Sequence, residues 1–157
     1  MYFIITTFGC KVNQYESMGL SELMKQNGFT ETGDIKQADI HIINSCTVTE
    51  NSDRKVISYI SKIKNSPEKP AGEFRPSTII VLCGCFPEAF PEKAKKTGAD
   101  IITGVKERLE IPERIKQLSS YKLQDENYKL QNESYKPFSP QKNRTRAFLK
   151  IQEGALP

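Results

Sequence analysis

The sequence predicts an α/β fold: a three-layer open parallel sheet of four to five strands with helices on both faces, Rossmann/flavodoxin-like. Two observations predict it. Short apolar runs rich in Ile and Val, centred on Tyr2–Phe8, Ile40–Ile43 and Thr78–Leu82, have the length and composition of buried parallel strands. The stretches between them carry apolar residues at helical spacing, and a β-α-β-α order in one sheet requires right-handed crossovers with helices on either side.

Each element has its own justification. After the first strand, Lys11–Asn27 places Tyr15, Met18, Leu20, Leu23 and Met24 at helical spacing, with Asn27-Gly28 as a stop signal. Gly33 and Asp34 mark the turn into the second strand. After Cys46, Thr47-Val48-Thr49-Glu50-Asn51-Ser52 supplies N-cap candidates for a helix reaching about Asn65, with Val56, Ile57, Ile60 and Ile63 as its inner face. Pro67–Pro76 holds three prolines and a glycine and reads as a loop. The third strand, Thr78–Leu82, precedes a short helix from Pro91 through Lys96. A fourth strand at Asp100–Thr103 and a last helix over Lys106–Leu118 complete the pattern.

Composition changes at Ser119. Through Asn143 the chain is almost all Tyr, Lys, Gln, Asn, Glu, Ser and Pro, and Tyr121-Lys122-Leu123-Gln124 is repeated as Tyr128-Lys129-Leu130-Gln131. Two units with one apolar position each make an extended linker a better reading than a helix. Arg144–Gln152 then alternates like a strand opening a second domain. The expected organisation is a domain over 1–118, a polar linker over 119–143, and the start of another domain over 144–157.

At 157 residues the chain suffices for one ordinary domain and a tail. No apolar stretch approaches the roughly 20 residues of a membrane span. Met1–Phe8 lacks the basic start and small-residue cleavage site of a signal peptide, so a cytoplasmic location with no membrane partner is expected. Four cysteines in a reducing compartment are then expected free, catalytic or metal-bound. The net charge of +4 is compatible with an RNA partner without arguing for one.

The cysteines carry the functional argument. Cys10, Cys46 and Cys85 each sit just past the end of an apolar run, 36 and then 39 residues apart, about one β-α unit each. Ligands of open parallel sheets bind beyond the carboxyl ends of the strands, so three thiols delivered there can converge on one object. An iron–sulfur cluster held by three cysteines, with its fourth iron open, is the best candidate. A structural zinc is the main competitor, but it normally closes with four ligands, often in Cys-x-x-Cys pairs that this chain lacks. The blander reading makes all four cysteines small buried hydrophobes. Cys83 fits that description, being within the apolar run and one pleat out of phase with Cys85. Gly9 and Gly84, each directly before a cysteine, permit tight turns where a side chain would crowd the site.

Three motifs in order resemble a known family. Thr7-Phe8-Gly9-Cys10-Lys11-Val12-Asn13-Gln14-Tyr15-Glu16-Ser17, Ile43-Asn44-Ser45-Cys46-Thr47-Val48-Thr49 and Gly84-Cys85-Phe86-Pro87-Glu88 are similar to the N-terminal domain of the methylthiotransferases. These are radical S-adenosylmethionine enzymes that add a methylthio group to tRNA or a ribosomal protein. Gly-Cys-Lys-Val-Asn, Ser-Cys-Thr-Val-Thr and Leu149-Lys150-Ile151-Gln152-Glu153-Gly154 look most like the branch acting on threonylcarbamoyl-adenosine at tRNA position 37. The isopentenyl-adenosine branch is its nearest rival. The resemblance implies that Cys10, Cys46 and Cys85 hold an auxiliary 4Fe–4S cluster as metal and cofactor ligands. It also implies tRNA as the partner of the full-length transferase, through a C-terminal RNA-binding domain.

The resemblance further implies a second, radical-SAM 4Fe–4S cluster and S-adenosylmethionine, on a Cys-x-x-x-Cys-x-x-Cys motif directly after Glu153-Gly154. Here Ala155-Leu156-Pro157 follows instead. The expectation is that these 157 residues contain no catalytic residue of their own and do not complete the reaction alone. The competing function is a non-enzymatic α/β RNA- or protein-binding module with structural cysteines. A flavodoxin-like nucleotide binder is discounted, because only one glycine follows the first strand. Of the remaining polar residues, His41 reads as a satisfied sheet histidine. Asn13, Ser17 and Asn44 flank the cysteine turns and are candidates to hydrogen-bond cluster sulfides. Lys11, Arg54 and Lys55 lie near the same edge and are candidates for phosphate, against the blander reading of a solvated helix face.

Overall fold

The computed structural model describes residues 1–47, 50–65 and 78–119. Its elements run β1 (Tyr2–Phe8), α1 (Lys11–Gln26), β2 (Thr30–Glu31), β3 (Ile40–Ser45), α2 (Glu50–Lys64), β4 (Ile79–Gly84), α3 (Cys85–Ala89), α4 (Pro91–Lys96), β5 (Ile101–Thr103), a 3₁₀ turn (Lys106–Glu110) and α5 (Ile111–Ser119). All strand pairings are parallel, in the order β2-β1-β3-β4-β5. This is the doubly wound order in which the topological switch point falls between β1 and β3. The predicted α/β architecture is the observed one.

The sheet separates two apolar layers. On one side Phe3, Ile40, Ile42, Val81, Cys83 and Ile101 pack with Leu20 and Met24 of α1 and Ile111 and Ile115 of α5. On the other, Ile43, Ile80 and Leu82 meet Val56 and Ile60 of α2, Phe86 of α3 and Ala94 of α4. Alternate residues of one strand therefore serve opposite layers, which is why β3 and β4 are buried throughout. β4 carries no charged or hydrogen-bonding polar side chain apart from the Cys83 thiol, while β3 buries His41, Asn44 and Ser45 beside its isoleucines.

Four details differ from the sequence reading. A two-residue strand, β2, pairs with the start of β1 (Tyr2 with Thr30, Phe3 with Glu31) and is too short to leave a periodic signal. Cys85 opens a short helix rather than sitting on a plain turn. That helix is separated from α4 because Pro91 disfavours helical backbone at Phe90, which adopts φ −133° and ψ 64°. The expected last helix is a 3₁₀ turn followed by α5, since Pro112 has no N–H to donate to the Arg108 carbonyl. Ile57, expected on the inner face of α2, is 39% exposed. Val56, Ile60 and Ile63 form the inward stripe at i, i+4 and i+7, and Ile57 lies one position off it.

The N-cap candidates Val48 and Thr49, the loop over 67–76, the linker beyond Ser119 and the 144–157 segment lie outside the described residues. Among those described, no helix is long and apolar enough to cross a membrane.

Candidate functional site

The three cysteines share one register row. Phe8 pairs with Ser45 and Ser45 with Gly84 across the neighbouring strands β1, β3 and β4. Cys10 follows the row by two residues, and Cys46 and Cys85 by one. Adjacent strands lie about 4.8 Å apart, so the three strand ends span roughly 10 Å at the carboxyl edge of the sheet. Cys10 and Cys46 flank the switch point. The chain turns differ: Cys10 is the N-cap of α1, Cys46 is held by its backbone N–H donating to the Phe8 carbonyl at 2.8 Å, and Cys85 is the first residue of α3.

All four cysteines are free thiols, and their settings divide them. Cys10 is exposed, Cys85 half-buried and Cys46 buried at the edge. Cys83 is wholly enclosed in the α1/α5 layer, where burial pushes its thiol up to about 12. It is thereby separated from the other three, as its place inside the apolar run implied. The expected phase difference from Cys85 is not the cause: residues two apart in a strand share a face, and the turn at Gly84 into α3 redirects Cys85.

Asn13 links the row. Its side-chain oxygen accepts hydrogen bonds from the Cys10 thiol at 3.1 Å and the Cys10 backbone N–H at 3.3 Å. Burial raises the Cys85 pKa most; the nearby Cys46 thiol raises it further, while the Asn13 hydrogen bond pulls it down. One amide side chain, 1% exposed, thus touches the sulfur at β1's end and lowers the pKa of the one at β4's end, which Cys46 raises.

A second layer fixes Asn13. Asn44 Nδ2 donates to the Asn13 carbonyl and to Ser17 Oγ, both at 3.0 Å, and Ser17 Oγ pairs with Thr7 Oγ1 at 2.7 Å. Ser45 Oγ donates to the Cys83 carbonyl at 2.9 Å, tying β3 to β4 below the turn. Ser17 and Asn44, expected to face a cluster, use these groups to lock α1 onto β1 and β3. Only Asn13 of the three contacts thiols.

The glycines have two distinct reasons. Gly84 has φ 104°, a left-handed conformation that L side chains rarely adopt, and a Cβ there would stand 2.6 Å from Asn44 Oδ1 and closer still to the Ser45 carbonyl. Gly9 needs no unusual backbone; a Cβ on it would meet Asn13 Oδ1 at 2.5 Å. Both leave room for the polar side chains and backbone that pack beneath the cysteine turns, Asn13 at Gly9 and Asn44 with Ser45 at Gly84.

Sequence reasoning missed an ion pair behind this edge. Glu16 Oε2 and Arg108 NH1 lie 2.6 Å apart with side chains 9% and 10% exposed, joining α1 to the 3₁₀ turn. Glu16 alone gave no signal, because its partner is 92 positions away. His41 is buried mid-strand on β3, apart from the row. Lys11, Arg54 and Lys55 are exposed.

No three His, Cys, Asp or Glu side chains among the described residues stand together as a metal site. The donor chemistry nevertheless suits an iron–sulfur group. Three free thiols leave three adjacent strand ends, the fourth cysteine is enclosed in the core, and among the described residues no fourth ligand completes a closed zinc tetrahedron.

Residues 2–104 match the uncharacterized protein family UPF0004. The chain is 31% identical over 150 residues to the threonylcarbamoyladenosine tRNA methylthiotransferase MtaB of Thermotoga maritima, covering 96% of this chain and 32% of that protein. It is 41% identical over 85 residues to the tRNA-2-methylthio-N(6)-dimethylallyladenosine synthase of Clostridium botulinum (strain Alaska E43), covering 54% of this chain and 18% of that one. The chain therefore spans about a third or less of the length of these relatives. Among solved structures, the CpaE chain of Burkholderia thailandensis superposes with a TM-score of 0.52 at 12% identity, covering 76% of this chain and 98% of that chain, a likeness of fold alone.

Proposed function

The chain belongs to the family UPF0004 and is homologous to the tRNA methylthiotransferases, and from that premise we propose that it is the auxiliary-cluster domain of such a transferase. In this reading residues 1–118 form the domain, 119–143 a linker and 144–157 the start of a radical-SAM domain. The substrate is the modified adenosine at tRNA position 37. The threonylcarbamoyl branch is favoured, since the MtaB match extends over 96% of the chain and the dimethylallyl match over 54%.

Cys10, Cys46 and Cys85 would hold a 4Fe–4S cluster. When bound, that group supplies an iron without a protein ligand, where sulfur can be carried for transfer. The chain's own residues do the rest. Three strand ends fix the spacing of the thiols, Gly9 and Gly84 leave room for Asn13 and Asn44 beneath them, and Asn13 holds the Cys10 sulfur in place. The observation that carries this reading is the shared register row of Phe8, Ser45 and Gly84 with a cysteine just beyond each. Insertion at an unreactive carbon also needs a radical, made by a second cluster with S-adenosylmethionine. No Cys-x-x-x-Cys-x-x-Cys motif occurs in these 157 residues, which are therefore proposed not to complete the reaction alone.

Anaerobic reconstitution with iron and sulfide tests the proposal. About four irons per chain and a brown protein are expected. A colourless protein whose stability does not respond to iron would favour structural cysteines in a binding module.

A further inference from the structure

A groove on the α2 side of the sheet is left unused by the cysteine row. It has a volume of about 330 Å³ and is lined by Phe8, Arg54, Lys55, Ser58, Tyr59 and Lys62. Arg54, Lys55 and Lys62 are exposed, and among the described residues none forms an ion pair with a carboxylate. The other cationic clusters differ: Lys25 is shared by Glu22 and Glu31, Lys95 is held by Glu92, and Arg114 is shared by Glu107 and Glu110. Among the described residues, then, no carboxylate neutralises the groove's three cations. From Arg54 to Lys62 they extend about 12 Å along α2 at 1.5 Å per residue.

Two aromatic rings stand beside them. Phe8 and Tyr59 meet edge to face at a centroid distance of 5.3 Å, and Tyr59 Oη pairs with Thr6 Oγ1 at 3.0 Å, which fixes the tyrosine's orientation. Both rings are half-buried. Cations tracking a backbone, with rings for bases to stack on, make up the chemistry of single-stranded nucleic-acid binding. The groove also adjoins the thiols, because the Phe8 carbonyl accepts from the Cys46 backbone N–H and Phe8 lies two residues before Cys10.

We propose that this groove binds a single-stranded RNA segment, with Arg54, Lys55 and Lys62 on phosphates and Phe8 and Tyr59 against bases. The inference rests on the RNA substrate of the reading above and gives it a docking surface beside the cysteines. Its test needs no cluster, so failure here leaves the cluster reading to its own experiment.

The test measures binding of a fluorescent uridine 12-mer to the apo chain across a salt series. In the Arg54→Glu/Lys55→Glu/Lys62→Glu variant, affinity is expected to fall about tenfold or more at low salt. The slope of log K against log salt should shrink by about two, at roughly 0.7 for each phosphate no longer neutralised. A charge-matched control, Lys95→Glu/Lys96→Glu/Lys106→Glu, also reverses three exposed cations and should bind nearly as wild type. All six positions are exposed, and a thermal melt checks that both variants fold. Equal losses in the two variants, or none in the groove variant, would overturn the proposal. So would displacement of the 12-mer by polyphosphate or polyglutamate as readily as by unlabelled uridine 12-mer.

Discussion

Asn13 and Cys10 form a closed pair: the asparagine's side-chain oxygen accepts from both the thiol and the backbone N–H of the cysteine three residues earlier. Because Asn13 is buried and also tied to Asn44 and Ser17 through its neighbours, it transmits the position of α1 to the sulfur at its N-terminus. Asn13→Ala should lower unfolding free energy by about 1–3 kcal/mol, the cost of leaving buried polar groups unpaired. It should also reduce iron bound per chain after reconstitution. Urea unfolding and iron analysis on the same preparation check both.

Gly84→Ala should be more damaging than its size suggests. It combines a left-handed backbone with a Cβ driven against Ser45 and Asn44. A loss of about 1–3 kcal/mol is expected from the strain. The matching Gly33→Ala change, where nothing lies within 4 Å, should be nearly neutral. Paired denaturant melts of the two variants make the comparison.

The buried Glu16–Arg108 pair should behave asymmetrically. Arg108→Met removes the guanidinium from an enclosed carboxylate and should cost about 3–5 kcal/mol. Replacing both residues, as Glu16→Leu/Arg108→Met, should recover most of that loss. A double variant no more stable than Arg108→Met would show that the pair is not what α1 and the 3₁₀ turn depend on.

The thiols should differ in reactivity and in their effect on pH stability. Iodoacetamide should label exposed Cys10 first and spare Cys83 while the chain is folded, as peptide mapping by mass spectrometry would show. Unfolded Cys83 releases its proton near 9, whereas the folded chain retains it until about 12. The folded state therefore binds more protons in that window, and stability falls as pH rises from 9 towards 12, by at most about 1.4 kcal/mol per unit from this group. Cys83→Ala should flatten that part of the stability profile.

Much of this was legible in the sequence for a physical reason. A strand buried on both faces tends to be apolar throughout, as β4 is, and the Ile-rich runs of β1 and β3 stand out beside it, so the chain just past each could be placed at the carboxyl edge of the sheet. The two-residue period by itself would put Cys83 and Cys85 on one face; they part because the strand ends at Gly84, whose left-handed turn starts α3 at Cys85. What was not legible depends on tertiary approach. Asn13 bonding Asn44 across α1 and β3, and Glu16 meeting Arg108, each join residues whose relation exists only after the sheet forms. The short elements β2 and α3 are below the length at which periodicity can speak. Ile57 falls outside the inward stripe of α2 because four isoleucine and valine positions outnumber the three that fit it.

The most direct test is a cysteine-to-alanine series read by iron and sulfide content and by electron paramagnetic resonance of the reduced protein. Cys10→Ala, Cys46→Ala and Cys85→Ala should each lose the cluster, while Cys83→Ala should load as wild type. A cluster kept by Cys85→Ala and lost by Cys83→Ala would contradict the account.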